Sequence, residues 1–285
     1  MTHFKEKESI ILCTRNFFRD RIGREAVALS FFSTMSAVPM VAVILFVTSG
    51  FGLEEMLESM LYSTFPDSSG LIDYILGIAH NMVSATEKGA FGWISFLTFV
   101  WLVFWQMIQI GVAFNRVWHI KGGQRKVWKK IAVYFGFLVA MPFVLILFLS
   151  GWAYYARFIG ALSGHLGAFS FITKNIFWVI FYGIASIALS VMYKFIPATK
   201  VRYSAALKAA FLVGVVFVVI QYLYMGTQVM VTRISGVYGA LAFVPLFMVW
   251  MNLSWQTILY GASLSCSFQQ IEIENEKLSD TDNDK

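Results

Sequence analysis

Residues 209–231 read AAFLVGVVFVVIQYLYMGTQVMV, an apolar stretch without a charged side chain. About 20 such residues in a helix are enough to cross the roughly 30 Å of hydrocarbon in a bilayer. Five further stretches are also apolar, with Lys194 as their one charged side chain, so we predict spans over residues 27–51, 92–114, 131–153, 175–196, 209–231 and 239–266. The sequence therefore predicts an all-α, polytopic membrane protein with six transmembrane helices.

The composition agrees with this fold class. Of the 285 residues, 58% are hydrophobic and 13% are charged, whereas a soluble domain carries about 25% charged residues. These values exclude a disordered chain and an ordinary water-soluble enzyme. A transmembrane β-barrel would show alternating strands of about ten residues, and the apolar runs here are long and unbroken.

The basic residues predict the orientation of the spans. All of the 22 lysines and arginines lie on one side except Lys88, Arg157, Lys174 and Arg233. Because basic residues favour cytoplasmic loops, we expect both termini to be cytoplasmic. The same positive side is suited to anionic membrane lipids, which we expect as partners, and we expect no nucleic-acid partner.

Three regions follow from the spans. Residues 1–26 form a basic amphipathic segment, residues 27–268 hold the six spans, and we expect the acidic tail 269–285 to be disordered. The first outer loop shows two amphipathic patterns, over residues 53–61 and 71–83, with Pro66 between them. We predict two short helices there, which act as a lid or simply pack against the spans.

Carboxylates are missing from most of the chain. No Asp or Glu occurs between Glu87 and Glu272, and the four histidines show no metal-ligand spacing. A carboxylate pair, a metal cluster or a proton relay would need such groups. We therefore predict no catalytic residues, no metal and no cofactor, and we expect that the protein is not an enzyme.

Amide side chains are the polar groups that enter the predicted spans. An unpaired amide in hydrocarbon is costly, so it must meet another polar group or a hydrated cavity. Two interpretations follow, a polar path through the bundle or hydrogen bonds between helices. The candidate path residues are Gln106, Gln109, Gln221, Gln228, Asn252 and Gln256. Prolines inside the spans predict helix kinks, at Pro39, Pro142 and Pro245.

Several motifs are similar to those of the YihY/BrkB family of bacterial inner-membrane proteins. They are Ala28-Leu29-Ser30-Phe31-Phe32, Asn115-Arg116-Val117-Trp118, Tyr193-Lys194-Phe195-Ile196-Pro197, Tyr238-Gly239-Ala240-Leu241-Ala242 and Gly261-Ala262. The resemblance implies a multi-pass protein of the bacterial plasma membrane. The family has carried a ribonuclease BN label, and some members are linked to lipid-precursor export. Many members carry an acidic residue after the last Gly-Ala pair, where this chain has Ser263.

Two functions compete on these observations. The first is a transporter or flippase-like protein for a lipid or amphipathic substrate, acting in envelope maintenance. The second is a membrane scaffold that organises partner proteins without transporting anything. Ribonuclease activity is not expected, because the metal cluster or the acid–base pair that phosphodiester cleavage needs is missing. The substrate, the coupling ion, the direction of transport and the oligomeric state do not follow from the sequence.

Overall fold

The computed structural model describes residues 2–64, 69–84, 90–120, 146, 170–232 and 236–283. These residues form eight helices, with no strand among them. The helices are α1 (Thr2–Arg19), α2 (Ile22–Gly50), α3 (Glu54–Thr64), α4 (Ser69–Ser84), α5 (Ala90–Val117), α6 (Ser170–Phe195), α7 (Tyr203–Thr232) and α8 (Gly236–Asn283). The all-α prediction is confirmed for this part of the chain.

Three of these helices contain segments long and apolar enough to cross a membrane: Val100–Val117, Trp178–Phe195 and Tyr203–Thr227. They coincide with the second, fourth and fifth predicted spans. The first and sixth predicted spans lie in α2 and α8, and the third, residues 131–153, lies outside the described residues apart from Ile146. Six spans therefore stay a prediction.

The outer surfaces of these segments are apolar. Large hydrophobic side chains that are more than one-third exposed lie along α5, α6 and α7, among them Leu97, Trp101, Val179, Ile187, Val215 and Leu223. A soluble monomer rarely exposes so large an apolar surface. The surface is suited to lipid tails, so the helices belong in a membrane.

The chain divides into two compact units. The first comprises Met1–Thr34, Gln109–Gln124 and Phe177–Lys285. Its largest helix pairings are α7 with α8 and α1 with α8. One buried cluster joins these helices to the end of α5 and to α6, and small residues of α7 let the backbones approach closely: Ala205, Ala206, Ala209 and Ala210.

Tyr193 of α6 packs closely against Gly261 of α8. Tyr193 is fully buried. A Cβ atom built on Gly261 would overlap the Tyr193 hydroxyl oxygen and lie only 2.6 Å from its Cζ atom. The two helices can therefore meet here only because residue 261 has no side chain.

The link between α6 and α7 is fixed by side chains from distant parts of the sequence. The Ala198 backbone N–H donates to Asn115 Oδ1 at 2.8 Å. The Arg202 backbone N–H donates to Gln269 Oε1 at 2.7 Å, and Gln269 Nε2 donates to the Lys200 carbonyl at 3.1 Å. These bonds satisfy backbone groups that the link leaves outside any helix, so that the start of α7 is held against α8.

The acidic residues after Phe268 continue α8, which ends at Asn283. Glu272 accepts hydrogen bonds from Lys208 Nζ at 2.9 Å and from Ser204 Oγ at 3.0 Å. Arg202 Nη2 donates to Glu276 Oε2 at 2.6 Å, and this guanidinium holds the pKa of the Glu276 carboxyl below its usual value. The acidic tail thus stays helical because the basic end of α7 faces it.

The second unit comprises Met35–Ile108 and Arg125–Ile176. The two helices predicted in the first outer loop are present as α3 and α4. Leu57 of α3 and Leu76 of α4 are buried with Ile44 of α2 and Ile146. Glu58 pairs with His80 Nε2 at 3.0 Å. These contacts favour the packing interpretation of the two helices over the lid.

Replacing Gly261 with alanine should destabilise the fold. The new Cβ atom overlaps the Tyr193 ring, and overpacking of this kind costs about 1–3 kcal/mol. Thermal unfolding of the purified protein measures the loss. Gly226→Ala is the matched control, because a Cβ atom at Gly226 meets nothing within 4 Å. Adding Tyr193→Leu to Gly261→Ala should restore part of the stability, and equal stability of both alanine variants would contradict the contact.

Both cysteines should react slowly with maleimide in the folded protein. Cys13 and Cys266 are free thiols with 0% and 7% exposed surface. Burial also raises the pKa of the Cys13 thiol, which lowers the population of the reactive thiolate. Mass spectrometry before and after denaturation measures the labelling. Complete labelling of Cys13 within minutes under native conditions would contradict the docking of α1 on α8.

Candidate functional site

Two adjoining cavities lie where α1 meets α2 and α8. The first has a volume of about 460 Å³ and is lined by Phe17, Phe18, Arg21, Gly23, Arg24 and Gln256. The second has a volume of about 370 Å³ and is lined by Phe17, Leu212, Val213, Val216, Gln256, Thr257, Tyr260 and Leu264. Phe17 and Gln256 line both, so the two cavities meet at these side chains. We call the first the polar cavity and the second the apolar cavity.

Packing of α1 on α8 positions the shared wall. The Phe17 ring lies edge-on to the Tyr260 ring, with 5.5 Å between centroids. The hydroxyl groups of Thr14 and Tyr260 are hydrogen-bonded at 3.0 Å, and the Cys13 thiol donates to the Tyr260 carbonyl at 3.7 Å. Three residues of α1 therefore contact Tyr260 of α8, and these contacts fix the position of the Phe17 ring between the two cavities.

The break between α1 and α2 positions the arginines. Arg21 has a φ of 53°, in the left-handed region, and α2 begins directly after it. This conformation costs an L-residue other than glycine roughly 1–2 kcal/mol. His119 Nε2 lies 2.7 Å from Asp20 Oδ2 and so ties the break to the end of α5. The reversal brings Arg21, Gly23 and Arg24 onto one wall of the polar cavity.

The carboxylates near this wall are already engaged. Asp20 accepts hydrogen bonds from Arg19 and His119, and Arg19 first and then His119 hold the pKa of the Asp20 carboxyl below its usual value. Glu25 forms an ion pair with Arg116. Among the described residues, no carboxylate lies within ion-pair distance of Arg21 or Arg24. The polar cavity is therefore cationic.

The amides predicted to line a path have separate positions. The Gln221 carbonyl oxygen accepts a hydrogen bond from Trp250 Nε1 at 2.9 Å, and Gln221 Nε2 lies 3.5 Å from Ser254 Oγ. Gln256 Nε2 donates to Asn252 Oδ1 at 2.6 Å within α8. Gln221 thus joins α7 to α8, as the alternative of hydrogen bonds between helices predicted, whereas Gln256 also lines both cavities.

The remaining predicted residues lie on several helices. Gln109 is half-buried on α5, and Gln228 lies near the end of α7. Gln106 is buried in the second unit. Pro39 and Pro245 lie inside α2 and α8, and Pro142 is outside the described residues. A continuous path along all six amides stays a prediction.

Sequence reasoning missed the cavity wall of Arg21, Gly23 and Arg24. The two arginines were counted with the other basic residues of the N-terminal segment. They differ from Arg19 and Arg116, because Arg19 forms an ion pair with Asp20 and Arg116 forms one with Glu25. Within the described residues, no group of three or more His, Cys, Asp or Glu side chains is placed to hold a metal ion.

Comparison with known proteins gives the family. A family model described as Virulence factor BrkB matches residues 13–285. The chain belongs to the BrkB family. This confirms the resemblance seen in the motifs, and several of those motif residues make structural contacts of this BrkB-family protein, including Asn115, Tyr193 and Gly261.

Relatives of this BrkB-family protein carry the name UPF0761 membrane protein. The relative from Psychrobacter sp. (strain PRwf-1) is 27% identical over 88% of this chain and 46% of its own length. The relative from Acinetobacter baylyi is 27% identical over 90% of this chain and 61% of its own length. The relative from Pseudoalteromonas translucida is 29% identical over 90% of this chain and 84% of its own length.

The chain thus spans between about half and three-fifths of the length of the first two relatives. The names of the relatives state membrane location and no activity. No solved structure matches this chain. The family places the chain in a membrane, and any function has to be argued from the cavities.

Gln221 offers a direct test of the contact between α7 and α8. Gln221→Leu leaves the Trp250 indole N–H without its acceptor, and such bonds in membranes are worth about 0.6 kcal/mol on average. A double-mutant cycle with Trp250→Phe, measured by thermal unfolding, should give a coupling energy of about 0.6 to 1.7 kcal/mol. Strictly additive effects would contradict the hydrogen bond.

Proposed function

We propose that this BrkB-family protein is a transporter or flippase-like protein for a lipid or another amphipathic molecule. The polar and apolar cavities that meet at Phe17 and Gln256 carry this proposal. An amphipathic molecule needs two adjoining environments, one for a polar group and one for a hydrocarbon chain. The two cavities offer both within a single stretch of the surface.

The apolar cavity is suited to a hydrocarbon chain. Its walls are aliphatic side chains of α7 together with Leu264 and the ring of Tyr260 from α8. Leu212 and Val216 are about half exposed, so that the cavity continues into the apolar outer surface of α7. A lipid tail could enter sideways from the bilayer without crossing a polar barrier.

The proposed location is the bacterial plasma membrane, with both termini in the cytoplasm. The charge distribution along the sequence supports this orientation. It places α1, the start of α7 and the charged end of α8 on the cytoplasmic side, and with them the polar cavity. The substrate would then meet the cationic wall at the cytoplasmic leaflet, and envelope maintenance would be the cellular role.

A membrane scaffold is the second candidate. The hydrogen bonds of Gln221 favour it, because they use a predicted path residue to hold α7 against α8. A scaffold would organise partner proteins through its basic face and move no lipid. An enzyme remains the least supported alternative, since phosphodiester cleavage needs a metal cluster or an acid–base pair.

Lipid movement in liposomes separates these candidates. The purified protein is reconstituted into vesicles that contain a trace of fluorescent phospholipid, and dithionite destroys the fluorophores of the outer leaflet. We expect the protected fraction to fall below the roughly one-half of protein-free vesicles. Val216→Trp, which fills the apolar cavity, should restore protection, because the tail can no longer enter.

Val219→Trp is the matched control for that experiment. Val219 lies on the same helix with almost the same exposure, 51% against 53% for Val216, and it does not line the cavity. This variant should move lipid like the wild type. Protection identical to protein-free vesicles for the folded wild type, across zwitterionic and anionic lipids, would contradict the proposal and favour the scaffold.

A further inference from the structure

We infer that Arg21 and Arg24, with the open backbone at Gly23, form a binding site for the phosphate of an anionic phospholipid headgroup, whose acyl chain occupies the apolar cavity. This inference rests on the proposed function, which it deepens by naming the substrate class and the groups that recognise it. The phosphate is the shared chemistry of a lipid headgroup and a free phosphate ion. The adjoining apolar cavity favours the lipid.

The polar cavity carries positive charge, from Arg21 and Arg24. Asp20 and Glu25 are the carboxylates nearest in sequence, and each is bound to another cation. Arg21 and Arg24 line the cavity without a carboxylate partner among the described residues. Guanidinium groups bind phosphate oxygens through paired, charge-assisted hydrogen bonds. The wall thus has two groups suited to phosphate, and no described carboxylate is paired with either.

Arg21 has a left-handed backbone conformation. Its φ of 53° lies where glycine or asparagine is accommodated at lower cost. A residue in such a conformation often serves a function that offsets the strain. At this position the left-handed backbone brings a guanidinium to the cavity wall. Arg21→Asn should therefore leave the stability of the fold unchanged or raise it while it removes the charge.

Gly23 leaves open space beside the backbone of α2. A Cβ atom at this residue would meet nothing within 4 Å, although the residue lies in the first turn of α2 and lines the cavity. The cavity therefore reaches the helix backbone itself. Backbone N–H groups of a first turn point away from the helix and favour anions. They add to the site that the two arginines form.

The polar and the apolar cavity share two lining residues. Phe17 and Gln256 line both, so a ligand that extends from the arginines past these two side chains enters the apolar cavity, whose lining includes Val216. A free phosphate ion would use only the polar half. A phospholipid uses both halves at once, with its ester region beside the Gln256 amide.

The test is equilibrium binding of a defined lipid to the purified full chain in zwitterionic detergent. The probe is phosphatidylglycerol with a fluorophore on one acyl chain, followed by anisotropy, and phosphatidylcholine with the same label is the reference lipid. We expect phosphatidylglycerol to bind at least tenfold more tightly. Arg21→Asn and Arg24→Gln should each weaken its binding about tenfold, as the loss of a charge-assisted hydrogen bond implies, and leave the reference lipid unaffected.

Two matched controls separate the site from general charge and from general bulk. Arg15→Gln removes an exposed arginine of α1 that does not line the cavity and should leave binding unchanged. Gly23→Leu fills the polar cavity and should abolish preferential binding, whereas Gly226→Leu, at an equally open glycine of α7, should not. Thermal unfolding of Arg21→Asn at or above the wild-type temperature shows that the variant is folded.

Two results would overturn the inference. The first is wild-type affinity for phosphatidylglycerol in the Arg21→Asn, Arg24→Gln double variant. The second is full displacement of the labelled lipid by millimolar inorganic phosphate, which would assign the site to the free ion. If wild-type protein binds the lipid through the arginines and yet moves no lipid in vesicles, the proposed function fails and the headgroup site stands. If lipid moves but the double variant binds normally, the reverse holds.

Discussion

The docking of α1 on α8 is the contact on which the candidate site depends. Cys13, Thr14 and Phe17 all meet Tyr260, through a thiol, a hydroxyl and an aromatic ring. Because Phe17 belongs to both cavities, any displacement of α1 would merge or close them. After the break that follows α1, Arg21 and Arg24 line the same cavity as Gln256. The N-terminal helix is thus a wall of the site, although the charge pattern alone marks it as a surface helix.

Ion pairs between basic and acidic side chains occur at two places in this part of the fold, and they differ in which basic residues they include. Where the start of α7 meets the end of α8, Glu272 pairs with Lys208 and Glu276 pairs with Arg202. At the break between α1 and α2, the carboxylates are bound to Arg19, His119 and Arg116 instead. Arg21 and Arg24 line the polar cavity, and no carboxylate among the described residues forms an ion pair with either of them. The cationic site that we propose rests on this difference.

The helices followed from the sequence, and much of the site did not. A bilayer imposes a length on apolar helices, so the runs that contain Trp178–Phe195 and Tyr203–Thr227 were visible as spans. The periodicity of α3 and α4 was equally visible. The left-handed conformation of Arg21 was not visible, and neither was the contact of Asp20 with His119, because those two residues are far apart in sequence. The contacts of Glu272 with Ser204 and Lys208 were not visible for the same reason. Gln256 was found as an intramembrane amide, but only the fold shows that it lines both cavities.

We propose that the polar and the apolar cavity form one site for an amphipathic lipid. Photo-crosslinking in native-like membranes tests it most directly, with a phospholipid that carries a diazirine on its acyl chain and mass spectrometry to map the attached residues. We expect the cross-links to concentrate on Leu212 and Val216, which line the apolar cavity, well above exposed residues that do not line it, such as Val179 and Ile187. A uniform distribution of cross-links over all exposed apolar side chains would contradict it.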